Sequence, residues 1–202
     1  MPPDAPMRRR VILLFGGPAA GKGTQADLLS AALVIPHVSS GDLLRDHQRR
    51  SAEAVMQRGD LLPDDVVSDV VFARLAEPDA RAGAVLDGFP RTLPQAEALD
   101  RWLQQQGGGT VSAAFYLEVP RPEMIARVVS RGEVSQRSDD HADVARRRVE
   151  VFLHELPPVL DYYAARGVVL RVDGTQSVEQ VHQQIVQALS DPHAKSPARD
   201  GR

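Results

Sequence analysis

The sequence predicts an α/β fold in which helices cover both faces of a doubly wound parallel sheet. Short apolar runs alternate with longer segments of helical periodicity along most of the 202 residues. None of the apolar runs alternates cleanly with polar residues, which is typical of strands that are covered on both faces. Hydrophobic residues make up 43% of the chain and charged residues 25%, so the composition is that of an ordinary globular protein.

Five strands and seven helices are predicted in order along the chain. The strands are expected at 11–15, 35–38, 84–87, 112–118 and 168–172. The helices are expected at 22–33, 42–50, 64–76, 94–106, 121–130, 141–165 and 177–189. In the last helix Val178, Val181 and Ile185 recur at helical spacing, and Ser177 is placed to cap its start. Because folds of this kind bind ligands at the carboxyl ends of the strands, functional residues are expected there.

The composition excludes several kinds of site. The chain has no cysteine, which rules out disulfides, thiolate catalysis and cysteine-bound zinc. A net charge of −3 and an aromatic content of 4% argue against a long nucleic acid as partner. No apolar run approaches the roughly 20 residues that a membrane-spanning helix needs. We therefore expect neither a nucleic-acid partner nor a membrane partner.

The two ends of the chain are predicted to lie outside the folded domain. Residues 1–8 are expected to be disordered, and the polar segment 191–202 is expected to be a flexible tail. Arg8, Arg9 and Arg10 precede an apolar run and so imitate a secretory signal. That run is only five residues long, whereas a secretory core needs about 7–15. The run is therefore interpreted as a buried strand of a cytoplasmic protein.

A glycine-rich loop at 16–24 follows the first strand, with the sequence GGPAAGKGT. Glycines allow the backbone to wrap a phosphate with its N–H groups pointing inward, and the following helix adds positive field. Lys22 is placed to reach the β- and γ-phosphates of a nucleoside triphosphate. The order strand, loop, helix predicts a fold of the P-loop NTPase type. The pattern usually has Ser or Thr directly after the lysine to contact Mg²⁺, but this chain has Gly23 there and Thr24 one residue later.

Several motifs, in this order, resemble the adenylate kinase family of nucleoside monophosphate kinases. They are 21–25 (GKGTQ), 37–45 (HVSSGDLLR), 59–64 (GDLLPD), 87–92 (DGFPRT) with Gln95, the arginines at 131, 137 and 148, and 173–176 (DGTQ). The resemblance covers about residues 11–190. It implies a kinase domain at 9–190, in which a five-stranded sheet carries two small inserted lids. The lid for the nucleoside monophosphate would span 39–62, and a short ATP lid would span 130–140.

The resemblance implies reversible phosphoryl transfer from Mg-ATP to AMP, which gives two ADP and serves adenine nucleotide homeostasis. The substrates would be ATP, AMP and ADP, and the enzyme would be a monomer. An oxygen of the AMP phosphate is already ionised at neutral pH, so the reaction requires no general base. It requires positive charge around the moving phosphoryl group. The catalytic residues implied by the resemblance are Lys22, Arg91, Arg131, Arg137 and Arg148.

The resemblance also implies two nucleotide sites. The ATP-binding residues would be Ala19, Ala20, Gly21, Lys22, Gly23, Thr24, Arg127, Arg131 and Gln176. The AMP-binding residues would be Ser40, Arg45, Asp60, Leu61, Leu62, Gly88, Phe89, Pro90, Arg91, Gln95, Arg137 and Arg148. Within this set, Gln95 is expected to read the adenine of AMP with its amide, and Ser40 to lie nearby. The family more often has Thr at position 40, and more often has Gly-Ser where this chain has Ala19-Ala20.

Asp87 is the candidate for metal support. It ends a predicted strand at the carboxyl edge of the sheet, where its carboxylate could orient the waters of Mg²⁺ and compensate for Gly23. An aspartate before glycine can also be a simple turn residue. No zinc is expected, because the second lid is short and the chain has no cysteine. His37 is interpreted as structural, and Arg146 and Arg147 as surface residues.

Three alternative functions agree less well with the sequence. A UMP/CMP kinase of the same fold would have Asn after the Asp-Gly-Phe-Pro-Arg motif, whereas Thr92 and Gln95 favour AMP. A nucleotide-dependent switch would need Ser or Thr after the P-loop lysine and a guanine-reading motif, and neither is found. A structural protein on an inactive kinase fold would lack Lys22, Asp87 or the arginines, all of which are present.

Overall fold

The computed structural model describes residues 9–47, 58, 60–135 and 142–190. Within these ranges, five parallel strands form one sheet with the order β2-β3-β1-β4-β5. The strands are β1 (Arg10–Gly16), β2 (His37–Ser39), β3 (Gly83–Asp87), β4 (Thr110–Glu118) and β5 (Val169–Asp173). The predicted α/β class and the doubly wound parallel sheet are confirmed.

Seven helices surround the sheet in the described part of the chain. They are α1 (Lys22–Leu33), α2 (Ser40–His47), α3 (Asp64–Leu75), α4 (Leu93–Gln105), α5 (Arg121–Ser135), α6 (Ala142–Ala164) and α7 (Val178–Ser190). A short 3-10 helix spans Pro78–Ala80. The predicted capping residue of α7 is confirmed, because the Ser177 hydroxyl accepts a hydrogen bond from the Gln180 backbone N–H at 3.3 Å.

Some predicted boundaries differ from the structure for local reasons. Strand β2 begins at His37 rather than at residue 35, because Pro36 has no N–H to donate to a strand ladder. Helix α5 continues to Ser135, past the predicted end at residue 130. A single glycine at position 132 costs a helix only about 1 kcal/mol, which is not enough to end it. Helix α2 begins at Ser40, two residues earlier than predicted, and predicted helical residues 48–50 lie outside the described residues.

The core consists of two apolar layers, one on each face of the sheet. Strand β1 is central and its residues alternate between the layers: Val11 and Leu13 face one layer, and Ile12 and Leu14 face the other. All four side chains are almost fully buried. This double burial explains why the strand is continuously apolar in sequence.

The strand register brings three loops to one edge of the sheet. Ser39 of β2 and Leu14 of β1 both pair with Asp87 at the end of β3. The glycine-rich loop after β1, the start of α2 and the loop after β3 therefore meet at the carboxyl edge, where ligands bind in folds of this class. No helix in the part of the chain that the structure describes is long and apolar enough to cross a membrane.

Helix α1 ends at a residue that is poorly suited to its backbone conformation. Val34 has φ 55° and ψ 44°, in the left-handed region, and its side chain is 87% exposed. A β-branched residue is strained there, whereas glycine is the usual residue at this point of a helix end. We expect Val34→Gly to raise the free energy of unfolding by about 1 kcal/mol. Urea denaturation monitored by circular dichroism measures the change.

Val186→Gly is the matched control for this prediction. Val186 lies inside α7 and is 40% exposed, so the same substitution there removes a helical residue of ordinary conformation. It should lower the free energy of unfolding by about 0.5–1 kcal/mol. Equal losses in both variants would show that the conformation of Val34 carries no strain.

Candidate active site

A cavity of about 640 Å³ opens at the carboxyl edge of the sheet. Its wall contains most of the residues that the sequence assigned to nucleotide binding. These are residues 19–24, Arg45, Asp60, Leu61, Asp87, Gly88, Pro90, Arg91, Arg127, Arg131 and Arg148. Segments far apart in sequence thus converge on a space of the size that small-molecule ligands occupy.

Other predicted site residues lie elsewhere. The side chain of Phe89 is 1% exposed and belongs to the apolar core, and Leu62 packs against that core. Gln176 lies in the loop after β5, where its amide nitrogen is 3.4 Å from a carboxylate oxygen of Asp173. Arg137 lies outside the described residues.

The glycine-rich loop leaves an open space at the start of α1. Gly21 precedes the helix with φ 91°, and a Cβ built on it would meet no atom within 4 Å. Ala19 also adopts the left-handed region, with φ 56°. A residue with a Cβ is strained in this conformation by about 1–2 kcal/mol. At position 19 the family that this chain resembles more often has glycine. The alanine found here is therefore a source of backbone strain in the loop.

Lys22 extends across this loop toward other cations. Its ammonium group donates a hydrogen bond to the Gly17 carbonyl at 2.9 Å. The pKa of Lys22 is lowered to about 8, chiefly by burial; the Asp87 carboxylate opposes this shift, and the positive charges of Arg91, Arg148 and Arg131 contribute to it. The cavity therefore carries positive charge that a bound anion would stabilise.

Arg91 is held in place by the loop that follows β3. Its Nε donates to the Gly88 carbonyl at 2.7 Å. Burial lowers the pKa of Arg91, and the charges of Arg148 and Arg45 add to the effect. An arginine does not lose its proton under these conditions, so the guanidinium remains a cation in a site with few counter-charges. Phosphate groups match the fork of donors that such a guanidinium presents.

Gly88 is the residue that makes room for Arg91. It has φ 77°, a conformation that side chains other than glycine rarely adopt. A Cβ at this position would lie 2.8 Å from the Ser40 hydroxyl and 2.9 Å from a guanidinium nitrogen of Arg91. Steric hindrance by a side chain thus explains why the Asp-Gly-Phe-Pro-Arg motif has glycine at this position.

The remaining arginines connect the cavity to neighbouring elements. Arg127 of α5 donates to the Gly174 carbonyl at 3.0 Å, and so ties the cavity wall to the loop after β5. Arg45 pairs with Asp42 on α2. The predicted surface residue Arg147 is 60% exposed, but its guanidinium reaches the Asp60 carboxylate of the cavity wall at 3.0 Å. Nothing in the run of three arginines indicated which of them would make this contact.

Asp87 faces the position where the usual P-loop hydroxyl is missing. A Cβ built on Gly23 would lie 3.6 Å from the Asp87 carboxylate. His37 lies on the other side, with Nε2 at 3.9 Å from Asp87 and Nδ1 at 2.7 Å from Asp27. The described residues contain no group of three or more His, Asp or Glu that could hold a metal alone. A single carboxylate beside a phosphate site does fit Mg²⁺, which keeps several waters and takes other ligands from substrate.

The two predicted base-reading side chains lie behind the cavity wall, in a buried polar network. Ser40 is 1% exposed and donates to the Gly88 carbonyl at 2.7 Å. Gln95 is 2% exposed: its Oε1 accepts from the Arg91 backbone N–H at 2.8 Å, and its Nε2 donates to Asp64 at 2.7 Å. Sequence reasoning missed Asp64. The Thr-x-x-Gln pattern at 92–95 signals a helix start with a hydrogen-bonding Gln, but it does not indicate the partner.

Comparison with known proteins identifies close relatives. The family model described as adenylate kinase matches residues 14–168. An adenylate kinase of Thermus thermophilus is 41% identical over 186 residues, which cover 89% of this chain and 97% of the relative. An adenylate kinase of Thermobifida fusca is 41% identical over 184 residues, with 88% and 97% covered. One of Nocardia farcinica is 44% identical over 184 residues, with 88% and 98% covered.

The lowered pKa of Lys22 predicts a pH-dependent stability in the absence of ligand. In the unfolded chain the lysine keeps its usual pKa of 10.5, so between about pH 8 and pH 10.5 the unfolded state binds more protons than the native state. The destabilising effect of the buried charge should therefore fade as the pH rises through this window. Between pH 7.5 and pH 10, we expect the unfolding free energy of the wild type to rise relative to that of Lys22→Met. Urea denaturation at each pH measures both values. A difference that is constant with pH would contradict the prediction.

Proposed function

The chain belongs to the adenylate kinase family, and from this premise we propose which of its residues carry out the reaction. The enzyme is a nucleoside monophosphate kinase, a phosphotransferase whose small-molecule substrates are ATP, AMP and ADP. The alternative of a UMP/CMP kinase is not favoured. The observation that carries the residue assignment is that Lys22, Arg91, Arg131 and Arg148 come from separate segments and line one cavity.

The donor site lies at the glycine-rich loop. Residues 19–24 hold the β- and γ-phosphates of ATP. The backbone N–H groups of the loop, the Lys22 ammonium group and the N-terminus of α1 all contribute to this binding. Arg127 and Arg131 contact the ATP side, and Gln176 lies beside its adenine. The hydrogen bond from Arg127 to the Gly174 carbonyl supports this arrangement, because it couples the phosphate side of the site to the 173–176 loop.

The acceptor site lies between α2, the residues before α3 and the loop after β3. Arg45 and Arg91 hold the AMP phosphate through their guanidinium groups. Leu61 and Leu62, with Asp60, line the base side, and Gly88, Phe89 and Pro90 shape the loop beneath it. Ser40 and Gln95 select the base. Because the side chain of Phe89 lies in the core, its contribution is to anchor the loop.

Catalysis rests on charge and alignment. The attacking oxygen of AMP is ionised, so what the reaction needs is positive charge around the phosphoryl group as it moves between the two anions. Lys22, Arg91, Arg131 and Arg148 supply this charge. Arg137 is assigned to the same set from the sequence. The mutual repulsion of these cations is offset when the phosphate groups lie between them.

Mg²⁺ is assigned to the site together with ATP. When bound, the ion supplies positive charge to the phosphate oxygens. Asp87 would hold it through water, and the small size of Gly23 leaves space in front of that carboxylate.

The remaining assignments follow from the family and from the sequence. The kinase domain spans 9–190, the lid for the nucleoside monophosphate spans 39–62, and the ATP lid spans 130–140. Closure of both lids would bring the arginines together and exclude water, which would otherwise hydrolyse ATP. We propose a cytoplasmic monomer of 22.0 kDa, whose mass in solution light scattering measures.

The first test is ADP formation from Mg-ATP with each nucleoside monophosphate in turn. AMP should be the preferred acceptor, with kcat/KM at least tenfold above those of UMP and CMP. A Gln95→Ala variant should lose much of this preference while keeping its KM for ATP, because the proposed role of the amide concerns the acceptor base and not the donor nucleotide. Preference of the wild type for UMP or CMP would overturn the acceptor assignment.

The second test separates the steric role of Gly88 from its backbone conformation. Gly88→Ala should lower kcat/KM for AMP by about 10²-fold or more, because the added methyl group displaces the Arg91 guanidinium and removes an electrostatic stabiliser. Gly167→Ala is the matched control, since Gly167 has φ 70° but an added Cβ would meet no atom within 4 Å. Both variants should lose about 1 kcal/mol of stability, but only Gly88→Ala should lose activity. Equal activities would refute the steric role.

A further inference from the structure

A partly buried hydrogen-bond network joins the start of α3 to the loop that carries Arg91. Asp64 is the first residue of α3. One oxygen of its carboxylate accepts two hydrogen bonds, from the Thr92 hydroxyl at 2.8 Å and from the Gln95 amide at 2.7 Å. Thr92 in turn caps α4 by accepting from the Gln95 backbone N–H at 3.4 Å. These contacts span 28 and 31 residues of sequence.

The network determines which way the Gln95 amide is turned. A carboxylate only accepts hydrogen bonds and a backbone N–H only donates them. Asp64 therefore requires the amide nitrogen on its side, and the Arg91 backbone N–H requires the amide oxygen on its side, as the structure shows. A flipped amide would place oxygen against carboxylate and N–H against N–H. Both pairings would be unfavourable, and a buried group left without a partner is costly.

The amide keeps one hydrogen and one lone pair for a ligand. An amide nitrogen has two hydrogens and an amide oxygen has two lone pairs, and the network uses one of each. Arg91 lines the cavity and its backbone N–H donates to the Gln95 amide oxygen, so the amide adjoins that part of the cavity wall. The remaining donor and acceptor therefore have a fixed order.

We propose that Asp64 is a positioning residue that fixes the Gln95 amide in one orientation and thereby sets the choice of acceptor base. The inference rests on the proposed function, in which Gln95 reads that base. A 6-aminopurine offers a donor at its exocyclic nitrogen and an acceptor at N1. A 6-oxopurine offers the reverse order, an acceptor at the exocyclic oxygen and a donor at N1. An amide with a fixed orientation can match only one of the two, whereas an amide free to flip can match both.

The test compares AMP with IMP as phosphoryl acceptor in the wild type and five variants. Asp64→Ala should raise KM for AMP and lower the ratio of kcat/KM for AMP to that for IMP by about tenfold, with KM for ATP unchanged within twofold. Asp64→Asn keeps the shape of the side chain but can donate as well as accept, so it no longer dictates the orientation of the Gln95 amide and should also lower the ratio, by about threefold or more. Asp65→Ala removes a neighbouring, exposed carboxylate from the same helical turn, which accepts from the Val66 backbone N–H, and should leave the ratio unchanged. In the double variant Asp64→Ala/Gln95→Ala, the ratio should equal that of Gln95→Ala alone.

The outcomes separate this inference from the proposed function. If Gln95→Ala loses the preference for AMP and Asp64→Ala keeps it, the inference fails and the base-reading assignment stands. If Gln95→Ala itself keeps the preference, both fail. A change in KM for ATP as large as that for AMP would show that Asp64 supports the fold only, and would also overturn the inference. Should Asp64→Ala not fold, Asp64→Ser serves the same test, because a hydroxyl can donate as well as accept and no longer dictates the orientation of the amide.

Discussion

The burial of several cations in one cavity is the constraint on which the rest of the site depends. Burial lowers the pKa of Lys22 and that of Arg91, the charge of Arg148 lowers both further, and the Asp87 carboxylate opposes both shifts. The fold tolerates this because the backbone accepts hydrogen bonds from both side chains, through the carbonyls of Gly17 and Gly88. Under the proposed function, phosphate groups of the substrates compensate these buried charges, and the same cations act on the reacting phosphoryl group.

The parallel sheet makes this arrangement possible. Strands β1, β2 and β3 end at one edge, with Asp87 in register between Leu14 and Ser39. Each of these strands is followed directly by a segment of the site: the glycine-rich loop, α2 and the loop after β3. These segments therefore meet at the same edge. The absence of a hydroxyl at Gly23 is matched by the position of Asp87, which faces the same space from the neighbouring strand. The residue proposed to support the metal and the loop proposed to bind phosphate therefore follow two different strands.

On the acceptor side, hydrogen bonds between segments matter more than the cavity wall itself. Ser40, Thr92 and Gln95 are buried. Ser40 donates a hydrogen bond to the Gly88 carbonyl, and Thr92 accepts one from the Gln95 backbone N–H, so the loop after β3 is held at both ends. Asp64 links this loop to α3 and thus to the end of the proposed acceptor lid. Arg147 adds a second, exposed link between α6 and Asp60. An exposed ion pair of this kind contributes about 1 kcal/mol or less, whereas hydrogen bonds to a charged group in a partly buried network contribute more.

The sequence by itself determined the fold class, the succession of strands and helices and the family, because these depend on local periodicity and on motifs of a few consecutive residues. Lys22, Asp87 and Arg91 were placed at the cavity for the same reason, since each ends or follows a strand. Only the tertiary structure decided that the Gln95 amide is held by Asp64, that Arg147 reaches Asp60 and that Ala19 adopts a left-handed backbone conformation. Those features come from contacts across up to 87 residues of sequence, or from a backbone angle that alanine does not favour. Neither leaves a local pattern, because a hydrogen bond between distant side chains is specified by the packing of the elements that carry them.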